Sequence, residues 1–263
     1  MVIPALLSLI LYLLASLVAI RQVLDGERPA SLLAALAWSA LALHGATLAD
    51  EILTLGPGQN LTLLNVASAV GLLTGILMTL GARRLNAWIL LPAVYGFAAL
   101  LQLASGLLPS RYLIHLEQRP ELMLHIAFAL LAFALLMMAS LFSLLLAGLQ
   151  HHLKVRKRLS LPGLPPLLTV ERRVFQLIQV GLGLLTVSIA IGMLFFFQEM
   201  FAPEQRLKAV LTMVAWLVYA ALLWGHARLG WRGRILIGLS LAGSLLLVLA
   251  YFGSRFLNEV FPG

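Results

Sequence analysis

The sequence predicts an all-α, polytopic integral membrane helical bundle of about eight transmembrane helices, with both termini outside (N-out/C-out). Three observations carry that prediction. First, 62% of the 263 residues are hydrophobic and 11% are charged, against about 45–50% and about 25% in an average soluble domain. Too little polar material is present to cover a surface facing water. Second, the apolar residues fall into eight runs close to the ~20 residues that span a hydrocarbon core ~30 Å thick. Third, the basic residues crowd into alternate connectors.

The runs cover residues 2–20, 31–49, 62–80, 87–107, 121–149, 175–197, 207–226 and 235–257. The first has no basic residue before Arg21 and is as long as a full span, so it reads as a retained helix and not as a removable signal peptide. The second follows DGERP, and the third follows GPGQN, both punctuated by glycine and proline. Ala67, Gly71 and Gly75 give the third run a small-xxx-small ridge suited to close helix approach. The fourth follows Arg83 and Arg84, and the fifth is long enough to tilt or project from the bilayer. LPGLPP separates the fifth from the sixth. The last two flank the arginine-rich turn at residues 227–234. No connector is long enough for a separate soluble domain, and residues 1–263 read as one transmembrane domain without an internal repeat.

Thirteen of the 18 basic residues lie in the odd connectors and five on the other side, which places the odd connectors in the cytoplasm. The net charge of +8 is therefore a topology signal. It does not indicate nucleic acid; the partner it implies is the lipid bilayer. The run HHLKVRKR in the fifth connector has two readings, a segment facing anionic lipid or a docking site for a cytoplasmic partner. His151 and His152 are adjacent, diverge by about 100° on a helix, and do not face one ligand.

With no cysteine, the chain has no disulfide, thiolate metal site, Cys nucleophile or CxxCH haem attachment. HExxH and GxSxG are absent too, so the sequence does not read as an enzyme. Ionisable groups at membrane depth are costly and mark function, which singles out the histidines. His44 lies in the outer part of the second run and His125 about one turn into the fifth. At about 1.5 Å per residue they sit at similar depth. His115 precedes His125 by ten residues in the outer connector, and His226 ends the seventh run on the cytoplasmic side. Each has a plain reading as a helix–helix hydrogen bond. As a set, neutral imidazoles in an apolar setting suit a borderline metal or haem iron. His44 and His125 qualify as a pair of iron ligands if their ring nitrogens approach to about 4 Å, twice a metal–imidazole distance of about 2 Å. Gln59, Asn60, Asn65 and Ser68 form a polar cluster beside them, either packing amides or a rim for a ligand entering near His44. Trp88, Trp224 and Trp231 read as an inner aromatic belt, with Trp224 also placed to border a flat ligand at His226.

Several of these stretches resemble a known family. PELMLHIAFALLAFALLMMASLFSLLL is similar to the helix of CcsA-type cytochrome c assembly proteins headed by a histidine, LMxHVxxxxLxYAAL. The run AWLVYAALLWGHARLGWRGRILIGLSLAGSLLLVLAYFG resembles their WLxxAxYLHxRxxxGWxG…YFG ending. GQNLTLLNVASAVGLL lies where the family has GxxPLSNLYESL. Over nearly the whole chain, including PPLLTVERRVFQLIQVG, the likeness is to the HemX-like, YpjD-type inner-membrane branch.

That resemblance implies a multi-pass protein of the bacterial inner (plasma) membrane that handles non-covalent, b-type haem. His125 matches the family's outer haem-ligating histidine, and His226 matches the histidine at the inner end of the penultimate helix. Two family features are missing: the tryptophan-rich WGxFWxWDPxE segment that presents haem to apocytochrome, and the second outer histidine after YFG, where this chain reads SRFLNEVFPG. Their absence argues against a complete cytochrome c synthase, and His44 or His115 is left to replace the lost ligand. Two functions follow. One is binding or relaying haem, with cytochrome c assembly proteins as partners. The other is a haem-free accessory subunit, for which the YpjD-type likeness suggests a CorC/CNNM-type divalent-cation efflux protein as partner. A lone transporter fits poorly, because the acidic residues Asp50, Glu51, Glu117, Glu121, Glu199 and Glu204 all read at the outer edge.

Overall fold

The computed structural model describes residues 2–25, 31–53, 58–85, 87–108, 111–156, 165–200 and 202–254. The charges expected at Arg28, Lys157, Arg158 and Arg255, and most of LPGLPP and of the C-terminal tail, lie outside the described residues. Eight of the described helices are long and apolar enough to cross a bilayer, and the fold is the all-α multi-pass bundle that the hydropathy predicts. By internal contacts the chain forms two compact units, residues 1–118 with 156–165 and residues 119–155 with 166–263.

The first unit is built from α1 (Val2–Asp25), α2 (Ser31–Leu53), α3 (Leu63–Leu85) and α4 (Leu91–Leu107), the last entered through a 3-10 turn at Trp88–Leu90. α1 packs on α2 and α4, and α3 packs on α4 and, over a smaller area, on α2. Lipid tails are as apolar as leucine, so burying leucine gains little here. Close van der Waals approach through small residues does the work instead. Ala15 and Ala19 of α1, Ala37 and Ala40 of α2, and Ala98 and Ala99 of α4 are all buried. The opposite face of α1 carries Ile3, Leu7, Ile10, Leu13 and Leu17, all exposed, as a lipid-facing surface requires. On α3 the small-residue ridge serves two neighbours. A Cβ on Gly71 would lie 3.3 Å from the Ala98 Cα of α4, whereas one on Gly75 would lie 2.8 Å from Leu41 of α2.

The polar amides expected near α3 do local structural work. Strand β1 (Gln59–Asn60) pairs antiparallel with β2 (Leu113–Ile114), with Gln59 opposite Ile114. Asn60 Oδ1 accepts the Tyr112 N–H at 2.8 Å, Gln59 Oε1 accepts the Leu116 N–H at 2.9 Å, and Asn65 Nδ2 donates to the Asn60 carbonyl at 2.9 Å. Gly58 has φ +108°, and a Cβ there would meet the Ile114 carbonyl at 3.0 Å. These bonds satisfy backbone that two neighbouring helices leave unpaired at a connector.

The second unit holds α5 (Pro120–Arg156), α6 (Leu167–Phe195), the single turn α7 (Phe197–Met200), α8 (Pro203–Leu229) and α9 (Arg234–Val248), which ends in a π-helical turn at Leu249–Gly253. α8 packs on α9, its π turn and α6. Gly181 of α6 sits against Leu136 of α5, and Gly243 of α9 against the ring of Tyr219. A buried hydroxyl cluster ties three helices: Tyr219 Oη lies 2.6 Å from Ser244 Oγ, which also hydrogen-bonds Ser140 Oγ. Helix boundaries depart from the apolar runs mainly at the sixth, which begins at Leu167 and not at residue 175. Glu171, Arg172 and Arg173 interrupt hydropathy but not helix geometry; both residue types are compatible with a helix that projects from the bilayer. α5 likewise extends the fifth run to Arg156.

Candidate functional site

The four histidines stand in three kinds of environment, set by what each ring nitrogen touches. His44 on α2 is fully buried in the first unit. Its Nδ1 lies 3.0 Å from Tyr12 Oη of α1, and its Nε2 lies 2.8 Å from Ser68 Oγ of α3. A neutral imidazole has one donor and one acceptor, so one hydroxyl donates to the ring and the other accepts from it. The network continues along the same helices. Thr47 Oγ1 donates to the His44 carbonyl at 2.9 Å and accepts from Gln102 Nε2 at 2.8 Å. Gln102 Oε1 in turn accepts from Ser8 Oγ at 2.5 Å. All four helices of this unit are thereby cross-linked by polar side chains, and both nitrogens of His44 are engaged.

His115, also in the first unit, is exposed in the connector after β2. The hydrogen bonds from Asn60 and Gln59 fall on Tyr112 and Leu116 on either side of it, so its main chain is pinned while its ring is not.

His125 and His226 belong to the second unit and share one pattern. His125 on α5 is half-buried, and its Nδ1 lies 2.8 Å from the Ser188 carbonyl of α6. A carbonyl only accepts, so Nδ1 carries the proton and Nε2 keeps its lone pair. Phe196 meets the ring edge-on at 6.2 Å between centroids, and Arg119 lies 5.0 Å over Phe196 while pairing with Glu199 at 2.9 Å. His226, on the last turn of α8, donates from Nδ1 to the Trp231 carbonyl at 3.0 Å. Its ring is stacked on Phe175 of α6, 3.5 Å between centroids and 21° between planes. Neither Nε2 has a hydrogen-bond partner among the described residues. A ring nitrogen bound to a backbone carbonyl, with the other left as a lone pair, is the arrangement of a metal-ligating histidine.

The structure thus leaves His44 and His115 in one unit and His125 and His226 in the other. Among the described residues no three His, Asp or Glu side chains cluster as a metal site. Trp224 is exposed, in keeping with an interfacial belt, whereas Trp231 is folded back over Gly225 and is half-buried. Several determining partners escaped sequence reasoning. Ser188 and Trp231 act through main-chain carbonyls, which leave no residue signature. Tyr12 did leave one: Ser8, Tyr12 and Ser16 recur every fourth residue on α1 and mark its inward face.

Known proteins similar to the chain extend over most of its length. A family model described as "Cytochrome C assembly protein" matches residues 3–261. Inner membrane protein YpjD of Escherichia coli strain K12 is 42% identical over 222 residues, covering 84% of this chain and 84% of that protein. An uncharacterized 28.8 kDa protein in the nifR3-like 5' region of Azospirillum brasilense is 35% identical over 142 residues, 53% of this chain and 52% of its own length. No solved structure matches the chain.

Proposed function

The chain belongs to the cytochrome c assembly protein family, and from that premise we propose that it binds or relays non-covalent, b-type haem in the bacterial inner membrane, with His226 on the cytoplasmic side and His125 on the outer side as iron ligands. One observation carries the reading. Both imidazoles donate Nδ1–H to a backbone carbonyl and keep Nε2 as a lone pair, the state in which a neutral histidine ligates a metal. Were haem bound there, its iron would be held by imidazole nitrogen of His226 or His125 and would supply the redox-active centre. The rest of the work falls to the protein: it holds the rings, and it offers Arg228, Arg232 and Arg234 near His226 for the propionates. No side chain makes or breaks a covalent bond in this role, which is that of a binding and relay protein, not an enzyme.

Within the first unit, the exposed ring of His115 is better suited to a ligand than His44, whose two nitrogens would have to give up Tyr12 or Ser68. The visible spectrum of the full-length protein, purified in mild detergent with added haemin, tests the proposal. A Soret band at near-stoichiometric haem, lost or shifted in His125→Ala and in His226→Ala, is the expected result. A loss in His44→Ala equal to that in His125→Ala, with His115→Ala unchanged, would return His44 to the ligand set.

A second reading is favoured by the lack, within residues 1–263, of the family's tryptophan-rich segment. In it the chain is a haem-free accessory subunit of a membrane complex, with a CorC/CNNM-type efflux protein as a candidate partner. A colourless sample after haemin supplementation supports this reading and sinks the first.

A further inference from the structure

We infer that the loop joining α8 to α9 is a clamp whose positioning residues, Gly225, Trp231 and the Arg232–Glu171 pair, select the Nδ1–H form of His226 and fix the plane of its ring. The inference rests on the haem-ligand reading only for its use; the tautomer itself is a property of the protein without haem.

The clamp depends on a glycine at residue 225. A Cβ on Gly225 would overlap the indole of Trp231, so the absence of a side chain is what lets the indole lie flat on the last turn of α8. Gly230 then caps the helix in the left-handed conformation, φ +66°, and its N–H and that of Trp231 both donate to the Gly225 carbonyl. This wraps the chain back on itself and brings the Trp231 carbonyl to 3.0 Å from His226 Nδ1. A fixed acceptor at that point stabilises the Nδ1–H tautomer and disfavours its alternative, which would set a lone pair against a carbonyl oxygen.

One contact ties the wrapped loop to α6 and a second ties the last turn of α8 to it. Arg232 Nε lies 3.9 Å from Glu171 Oε1, and Phe175 stacks on the imidazole. Glu171 and Phe175 are four residues apart and so share one face of α6. Glu171 is mostly buried, with 12% of its side chain exposed, but 65% of Arg232 is exposed, so the pair is a supporting contact beside the stacked rings. Gly233, at φ +58°, lets the chain turn into α9 immediately beyond the clamp.

The test uses full-length protein labelled with 15N-histidine and kept free of haem, with the His226 signals assigned by their loss in His226→Gln. Wild type is expected to show the Nδ1-protonated tautomer almost alone. In Gly225→Ala the methyl displaces the indole, the carbonyl leaves, and the spectrum should move to a mixture of tautomers. Trp231→Ala should do the same without adding bulk, which keeps the test open if Gly225→Ala does not fold. In the double variant Gly225→Ala/Trp231→Ala, the methyl has room; folded yield should recover while the tautomer mixture persists. Haemin titration of the same proteins should show affinity reduced about 10–100-fold, as when the outer partner of a metal-bound histidine is removed. A wild-type His226 protonated at Nε2, or a tautomer unchanged in Trp231→Ala, overturns the clamp. Normal tautomer shifts together with haemin binding that His226→Gln leaves intact would uphold the clamp and overturn the haem role of His226.

Discussion

The buried imidazole of His44 and the half-buried imidazole of His226 are the same side chain put to opposite uses. In the first unit, His44 is met by a hydroxyl on each nitrogen, from Tyr12 and Ser68, and joins three helices. In the second, His226 is met by one main-chain carbonyl and one aromatic face, so that one nitrogen is fixed and the other is left to act. His125 follows the second pattern through Ser188. The difference teaches that a histidine at membrane depth is not by itself a ligand. What decides is whether its environment consumes both nitrogens or only one.

Four experiments break or sharpen that contrast. The largest effect is all-or-none and concerns the sides on which the two patterns lie. A reporter active only in the periplasm, fused after Gly263, should be active, because thirteen basic residues sit in the odd connectors and five opposite. Activity of a cytoplasmic reporter there would exchange inner and outer for His44, His115, His125 and His226.

Next in size is the frame that holds the His44 network. Gly71→Leu drives a side chain against the main chain of Ala98, which cannot rotate away. It should cost more than the ~1–3 kcal/mol usual for overpacking and remove most of the monodisperse yield in detergent. Leu72→Ala, on the neighbouring half-buried position, should keep much more of it. Equal yields would mean that this face of α3 tolerates separation.

The contrast itself is tested by paired alanine substitutions read by thermal unfolding in detergent. His44→Ala strands two buried hydroxyls, at ~1–3 kcal/mol for each unsatisfied group, and should lower the unfolding midpoint clearly. His125→Ala removes the ring from Ser188, which is buried but keeps its Oγ bond to the main-chain carbonyl of residue 125 at 3.2 Å, and should lower it less, while altering the haem spectrum more. The reverse ranking on both measurements would make His44 the functional residue and His125 the structural one.

The smallest effect is expected outside His125. Arg119 pairs with Glu199 at 2.9 Å, but 40% of the arginine side chain and 63% of the glutamate are exposed. Arg119→Gln should therefore cost no more than about 0.5 kcal/mol and leave the spectrum unchanged. A spectral shift as large as that of His125→Ala would bring Arg119 and Phe196 into the site.

The sequence by itself determined the class of molecule. Eight apolar runs, the arginines crowded into alternate connectors and the absence of cysteine are properties of composition along a line, and the bilayer reads composition along a line. Hence the eight helices stand where hydropathy puts them, apart from α6, whose charged first turns hydropathy counts as connector. The likeness of LLWGHARLGWRGR and PELMLHI to one family singled out His226 and His125 in the same way. Partnership was another matter. Tyr12 lies 32 residues before His44 and Ser68 lies 24 after it; Ser188 lies 63 beyond His125. Nothing in spacing along the chain says which helices will be neighbours or how each is rotated about its axis. Packing settles that, through alanines and glycines that let backbones approach closely. Two of the decisive acceptors are main-chain carbonyls, present at every residue and so invisible in any one. Tertiary structure alone turned four similar histidines into a strut, an exposed loop residue and two imidazoles with a lone pair to give.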